Sequence, residues 1–588
     1  MVEVGKGEVL IRIIPLVVAL LVIGFATNAA VYHGLNDAQS MDNAQLARQI
    51  VRGKGFTTEF LRPHAVAQLR DYAVSQSLQT GKPRDLFPSD QFPPGTPRTL
   101  PDTYNAPGYP YLLAAWFYIV RPEFEQTSAS QTTTRIYSGD RWIPALNQLF
   151  LVLTAFLVFA LGHRLFDSRV AWMSVVVFLS TNLAWDYTLT ALSTTVLMFL
   201  VTAMLICTLE IFCVGEACAA NEDRSFAPAW FWAITAGLLL AAASLTRLHL
   251  MVLLVPLFVL LLWMPRPSFL LVVAIILIVG GLVTPWFFHV NAVSGNPLGS
   301  NMPLMLYGVD DYTGNQIYCG TTIPSYERVF KDLIKKESTG FLWHFEHAWG
   351  LLGANPLILL FGASILHQFK RLRTRLFHWL LFACAFALVA ANNLGSATPD
   401  NLDAWNVVVL LLPSMVVIGC AFFFILLDRM NLQVHLLNSL IVTATLLLTA
   451  TPLVINLTTP SPSYSFPPYL PPVIKAYGQF AQTDEWITSD MPWATAWYAD
   501  RASLWLPDSI ADFENFHDNV CPTGILLLTP VTWSQPVANV TTGEYKDWFP
   551  LVVGAAVPSE FPLSVHVTPV LLSTYYSVWS DRPRWQTK

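Results

Sequence analysis

Charge is what this chain has least of. Only 12% of its 588 residues are Asp, Glu, Lys or Arg, about half the share of an ordinary soluble domain. A water-soluble chain of this size would need more, so the deficit points to lipid. An excess of one sign is missing as well. The net charge of −6 excludes the basic footprint of a nucleic-acid binder. Cysteine is sparse and scattered. Of the seven, only Cys213 and Cys218 in "CVGEAC" lie close, and that spacing fits no zinc or redox pattern. They read as small apolar residues in helices. No repeat of fixed period runs through the chain. No inverted pair of broken helices of the transporter kind stands out either.

What is abundant is apolar. Hydrophobic residues make up 54% of the chain, gathered into runs near the roughly 20 residues a spanning helix needs. About eleven runs qualify: 10–32, 143–162, 170–184, 188–212, 229–246, 249–264, 269–290, 347–367, 377–391, 405–427 and 437–456. The loops between them are biased in charge. "HRLFDSR", "GEACAANEDRS", "PRP", "HQFKRLRTRLFH" and "DRMNLQ" each carry arginine. The short loops "LAWDYT" and "NNLGSATPDNLDAW" carry acids and no bases. Positive loops stay inside, so the N-terminus is expected in the cytoplasm. Residues 33–142, 290–346 and the tail then face outward. The small residues of "ATNAA" suit a signal peptide, but ten further runs follow, so the first run reads as an uncleaved anchor.

The pattern predicts an α-helical polytopic membrane protein of three parts. Residues 1–456 form a transmembrane domain, 457–479 a proline-rich linker, and 480–588 a small extracytoplasmic α/β domain in which short strands alternate with helices. Outer-face helices are expected within 33–142. "MDNAQLARQIV" places Ala44, Leu46, Ala47, Ile50 and Val51 on one helical face, with Arg48 and Arg52 away from it. "YPYLLAAWFYIV" (109–120) is too short to span and suits the interface. Cys319 and Cys521 are the two cysteines expected outside, and they could pair if those segments meet.

Several charged residues sit near the outer boundary. Asp42 lies on the first outer helix and Asp37 just before it. A partly desolvated carboxylate there can take a proton from a hydroxyl; a helix-terminal charge is the plainer role. Arg247 in "SLTRLHL" is the lone base in a short outer loop. It would suit a lipid phosphate, which a guanidinium holds bidentately, or it snorkels to headgroups. Asp186 in "LAWDYT" reads as a substrate-site candidate or a turn residue. His33, His249 and His289 share the boundary, without the spacing of a metal site.

These pieces carry a resemblance. "SMDNAQLARQIVRGKGFTTEFLRP" followed by "YNAPGYPYLLAAWF" resembles the first outer loop of bacterial GT-C glycosyltransferases. It is most similar to the protein-mannosyltransferase-like group (glycosyltransferase family 39), which itself resembles the lipid A aminoarabinose transferases. "LGHRLFDSRVAWMSVVVFLST", "LLLAAASLTRLHLMVLLVPL" and "TPWFFHVNAVSGNPLGS" extend the likeness over residues 10–300. The chain departs from the group twice. Gln39 and Ser40 stand where the family carries adjacent acids, flanked here by Asp37 and Asp42. Threonines in "ALSTTVLMFL" replace an acid early in the fourth span.

The resemblance implies an enzyme of the inner (plasma) membrane. It would move a sugar from a polyprenyl-phosphate donor to a hydroxyl on an acceptor lipid, protein or glycan, with inversion. Asp42 or Asp37 would be the base, with the helix register favouring Asp42. Arg247 and His249 would hold the donor phosphate. Tyr104, Tyr109, Arg62, Lys54 and Asp186 are the remaining substrate-site candidates. No cofactor is required, since Arg247 can neutralise the leaving phosphate, and no spacing supports a divalent metal. The competing classes are a transporter or flippase of lipid-linked sugars and a non-enzymatic membrane assembly protein. A transporter would need charged or broken helices at mid-membrane, whereas the charges here lie at span ends.

Overall fold

The computed structural model describes residues 7–81, 86–87, 94–124, 136–220, 227–264, 269–301, 316–321, 329–395, 406–430, 435–459, 470–533, 541–543, 545–552, 561–567 and 576–584. The centre of the expected proline-rich linker, 460–469, lies outside them, as do parts of the outer loops. The main helices are α1 (Gly7–Ala26), α2 (Ala38–Val51), α3 (Pro63–Thr80), α4 (Gly108–Val120), α5 (Ile143–Leu165), α6 (Ser168–Ser180), α7 (Thr194–Ala220), α8 (Ala227–Thr246), α9 (Leu254–Leu262), α10 (Phe269–Ser294), α11 (Val329–Leu351), α12 (Pro356–Ala363), α13 (Leu372–Gly395), α14 (Leu412–Arg429), α15 (His435–Thr458) and, in the tail, α16 (Ile510–Asn519).

Among the described residues, seven helices are long and apolar enough to cross a membrane: α5, α7, α8, α10, α13, Val408–Arg429 and Leu436–Thr458. The expected number was eleven. Of the other four runs, the first is helical over Gly7–Ala26 and on through Thr27–Val31, and the remaining three appear as shorter apolar helices, Ser168–Ser180, Leu248–Leu262 and Pro356–Leu366. Local backbone breaks explain three of them. Thr181 turns extended at the end of α6. A 3₁₀ turn, Leu248–Leu253, precedes α9. Gly353 and Ala354, with φ of 75° and 51°, interrupt the run 347–367 just after α11 ends, and Asn355 caps α12 afresh by accepting from Leu357 N at 3.0 Å. Such turns survive at membrane depth where neighbours satisfy the backbone.

The tail builds a six-stranded mixed sheet. β4 (Trp486–Ser489), β5 (Ser503–Trp505), β6 (Thr523–Leu528), β7 (Val565–Val567) and β8 (Ser577–Ser580) are tail strands, and α16 lies between β5 and β6. One edge strand comes from elsewhere. Phe60–Leu61 of the first outer loop (β2) pairs in parallel with β5, in the order β2-β5-β4-β6-β8-β7. β1 (Thr57–Thr58) and β3 (Leu100–Pro101) form a separate antiparallel ladder in the same loop. One apolar core fills the helix bundle. A second spans α2, α4, the start of α5 and the tail, packing Met41, Tyr109 and Phe117 with Trp497 and Ile525.

α2 does not lie on a surface with its arginines in water, as its pattern suggests. Ser40 to Gln49 are all buried, and Arg48 is fully enclosed. It donates to Glu59 Oε2 at 2.6 Å and to the Ala496 and Trp497 carbonyls at 2.7 Å each. It also lies over the Trp497 ring at 4.8 Å. Arg52 pairs with Asp500 at 2.6 Å. The tail covers the face that water was expected to cover. α4 is a short two-faced helix, with Tyr109, Leu113 and Phe117 inside and Tyr111, Tyr118 and Ile119 exposed.

The tail also meets the second outer loop. Asp508 N donates to Cys319 O at 3.2 Å. No disulfide joins Cys319 to Cys521: both thiols are buried, and Cys521 Sγ points to Asp484 O at 3.4 Å.

The orientation can be checked on exposed positions, Gln368 between α12 and α13 and Asn519 at the end of α16. In a chain whose seven cysteines are replaced, a membrane-impermeant thiol reagent added outside is expected to label Asn519→Cys and spare Gln368→Cys. The reverse pattern would invert the topology.

Candidate active site

The site is assembled by α2. Asp37 caps the helix by accepting from Ser40 N at 2.7 Å, the ordinary use of an acid at that position. One turn on, Asp42 points into a fully enclosed cluster. Its Oδ1 accepts from Gln45 Nε2 at 3.0 Å. Its Oδ2 accepts from Arg62 Nη2 at 2.7 Å and from Asn105 Nδ2 at 2.9 Å. Arg62 is set by β2 and by two rings, lying 4.0 Å from the Phe60 centroid and 3.7 Å from that of Tyr104.

A second acid, absent from the sequence reading, completes the cluster. Asp102 accepts from Tyr104 N at 2.8 Å and from Asn105 Nδ2 at 2.7 Å. The Asn105 amide thus bridges two carboxylates. Burial first, and the charge of Asp42 second, push the Asp102 carboxyl up to about 6. Only Asp-x-Tyr-Asn, a turn in which the acid bonds amides two and three residues on, could have flagged it within the proline-rich stretch.

Asn105 and Tyr104 form one wall of a pocket of about 230 Å³, with Gln39, Asn43, Tyr109, Ser193, Arg247, His249 and Asn301 among the others. Three contacts join this pocket to α2. Gln39 Nε2 donates to Asn105 Oδ1 at 2.7 Å. Asn43 Nδ2 donates to Ala191 O at 2.9 Å, and Ala191 N returns a bond to Ser40 Oγ at 2.9 Å. Gly108 lets α4 approach the end of α8, since a Cβ there would meet Thr246 Oγ1 at 2.5 Å and Leu245 O at 3.0 Å.

Arg247 dominates this pocket electrically. Its Nε donates to Ser193 Oγ at 3.0 Å and its Nη2 to Thr194 Oγ1 at 3.1 Å. Nη1 is enclosed without a partner, and so is His249 Nε2. Among the described residues no carboxylate pairs with Arg247. The two hydroxyls come from "LSTTV", at the start of α7. A cation held by neutral groups, with donors to spare, is built for an anion.

The remaining candidates divide. Tyr109 lines the pocket and bonds Asn147 Oδ1 at 3.4 Å. Burial, then the charge of Asp37, pushes its phenol well above the ordinary range. Arg62 belongs to the acid cluster. Lys54 is exposed between Gly53 and Gly55, whose φ of 76° each turns the chain away from α2; it is not among the pocket-lining residues. Asp186 sits elsewhere, accepting from Asn182 at 2.5 Å and Asn456 at 3.0 Å. His33 bonds Val31 O at 2.8 Å and His289 stacks near Trp286. Among the described residues no three His, Cys, Asp or Glu side chains group as metal ligands would.

Comparison of the fold supplies the context. The crystal structure of ArnT from Cupriavidus metallidurans in the apo state matches 98% of this chain and 99% of its own, with a TM-score of 0.52 at 13% identity. The chain has the fold of the GT-C glycosyltransferases. The same ArnT bound to undecaprenyl phosphate matches 97% of this chain and 98% of its own, at 0.51 and 12% identity. The archaeal oligosaccharyltransferase AglB from Archaeoglobus fulgidus, with an inhibitory peptide and a dolichol-phosphate, matches 97% of this chain and 74% of its own, at 0.54 and 10% identity. A scan of protein-family models and a search of curated proteins each returned no match. With its candidate spans, this fold makes the chain a multi-pass membrane protein.

Proposed function

We propose that this chain is an inverting glycosyltransferase. It transfers a sugar from a polyprenyl-phosphate donor to an acceptor hydroxyl at the outer face of the plasma membrane. The observation that carries the reading is Arg247, a cation with an enclosed, unpartnered Nη1 and no carboxylate partner among the described residues. The donor's phosphate supplies the missing anion, and ArnT and AglB structures bound to undecaprenyl phosphate and dolichol-phosphate support that donor class.

The chemistry follows from the two halves of the site. The leaving group is a phosphate monoester, and charge grows on it as the anomeric C–O bond breaks. Arg247 and His249 lie where hydrogen bonds to that phosphate stabilise the growing charge. On the other side, the acceptor hydroxyl takes the place of the Asn105 amide at Asp42 Oδ2 and gives up its proton there. Its oxygen attacks the anomeric carbon from the face opposite the phosphate, which inverts the centre. Arg62, donating to Asp42 Oδ2 at 2.7 Å, holds the carboxylate in place for that step. Asp102 gives the displaced Asn105 amide an acceptor, through the bond already made to it at 2.7 Å.

Arg247→Ala is expected to weaken binding of undecaprenyl phosphate in detergent by about tenfold to a hundredfold, the range of a lost charged hydrogen bond. Arg247→Lys should retain part of it, because the charge stays while the fork is lost. Equal affinity in Arg247→Ala and the unmodified chain removes Arg247 from the donor site. Mass spectrometry of lipids and glycans from cells with and without the gene then names sugar and acceptor.

A further inference from the structure

At the other end of the bundle lies a groove that the reaction does not use. It has a volume of about 710 Å³, within the roughly 300–1,000 Å³ usual for ligand sites. α6, α14 and α15 form its walls. α5 runs for 23 residues, about 35 Å at 1.5 Å each; near its start Asn147 accepts from Thr195 Oγ1 beside the Arg247 pocket, and its other end leads into α6 at this groove. The groove and the Arg247 pocket are therefore on opposite membrane faces.

Its lining is graded. Arg169 stands at the mouth, its guanidinium 4.0 Å from the Phe424 ring centroid. Among the described residues its ion pair is long, 3.5 Å to Asp428, a carboxylate 69% exposed. Next to it Asn438 Oδ1 is enclosed and has no donor. Further along the same helices, Trp172, Val176 and Leu446 give an apolar floor, open to the surroundings at Val176. A cation weakly held, an acceptor lacking a donor and an apolar floor, in that order, match an amphiphile with an anion, a hydroxyl and a chain. Water alone would not need the floor, and an acyl chain alone would leave Asn438 unsatisfied.

We propose that this groove is a binding site for an anionic phospholipid with a hydroxylated headgroup, of the phosphatidylglycerol type. The phosphate meets Arg169 in place of Asp428. A headgroup hydroxyl donates to Asn438 Oδ1. One acyl chain lies along Trp172, Val176 and Leu446. Phosphatidylcholine lacks both net charge and donor, so it fits worst.

Native mass spectrometry of the full chain in detergent, with added phosphatidylglycerol or phosphatidylcholine, tests this. The chain is expected to retain phosphatidylglycerol preferentially. Arg169→Ala, at an exposed position, should lower its affinity about fivefold, the effect of one basic residue at an anionic lipid. Asn438→Leu should lower it as well, and Arg371→Ala, in the basic loop outside the groove, should not. Arg169→Ala decides alone if Asn438→Leu does not fold. Equal retention of the two lipids overturns the proposal, as does phosphatidylglycerol binding unchanged in Arg169→Ala. Displacement by glycerol 3-phosphate as effective as by lipid overturns it too, because the apolar floor would then contribute nothing.

Discussion

Asp42→Asn is expected to cut sugar transfer by at least about 10²-fold, the low end of what a general base contributes. Donor binding, which we propose rests on Arg247, should change little. The substitution also leaves Arg62 buried without its anion, so some stability goes with it. A pH profile separates the two effects. Asp102 sits at about 6 because of burial and then the Asp42 charge. As pH falls through about 6 it takes a proton, and the bridge through Asn105 changes. Transfer by the unmodified chain should therefore fall below about pH 6. Asp102→Asn should lose that limb while keeping Asp42. Asp37→Asn, which alters a helix cap, is the matched control and should cost far less. Turnover unchanged in Asp42→Asn would remove the base from this cluster; abolished transfer in Asp37→Asn alone would move it one turn back.

The second large effect concerns Arg48. Arg48→Ala strands Glu59 in the interior, where burial already raises its carboxyl and Arg48 is the cation that opposes it. It also leaves the Ala496 and Trp497 carbonyls without their donor. Breaking one side of a buried pair costs about 3–5 kcal/mol. A clear fall in thermal unfolding temperature by tryptophan fluorescence is expected. Removing both charges with volume kept, as Arg48→Met with Glu59→Leu, should recover much of it. A single variant as stable as the unmodified chain would show that the network carries little.

Long apolar runs were legible in the sequence because hydropathy alone defines them. The breaks were not. Thr181 and Gly353–Ala354 interrupt helices inside continuous apolar stretches, where composition does not change. Arg48 was misplaced for a related reason. Periodicity assigns charge to water, and the residues that cover it, Trp497 and Asp500, come from the far end of the chain. Arg247 was legible because it breaks a charge bias, an anomaly visible in one loop. Asp102 was not, because a proline-rich stretch has no period against which an acid can stand out. The α/β alternation of the tail was readable for β4, β5 and β6, but not for β7 and β8, which lie in the last stretch of the chain where no alternation stands out. Its edge strand was not, since two residues, Phe60 and Leu61, carry no strand signal.

That edge strand bears on the order of synthesis. Leu61 emerges from the ribosome early, and its partner Leu504 about 440 residues later. At about 5–20 residues per second, β2 waits on the order of tens of seconds for its sheet. α2 waits with it, since Arg48 finds its carbonyl partners only in Trp497 and Ala496. A chain that stops before the tail can fill the membrane with helices, yet its acid-bearing helix has nothing to lock against. Synthesis of the tail thus becomes a condition for an assembled site, written into the pairing of two residues near one end with two near the other.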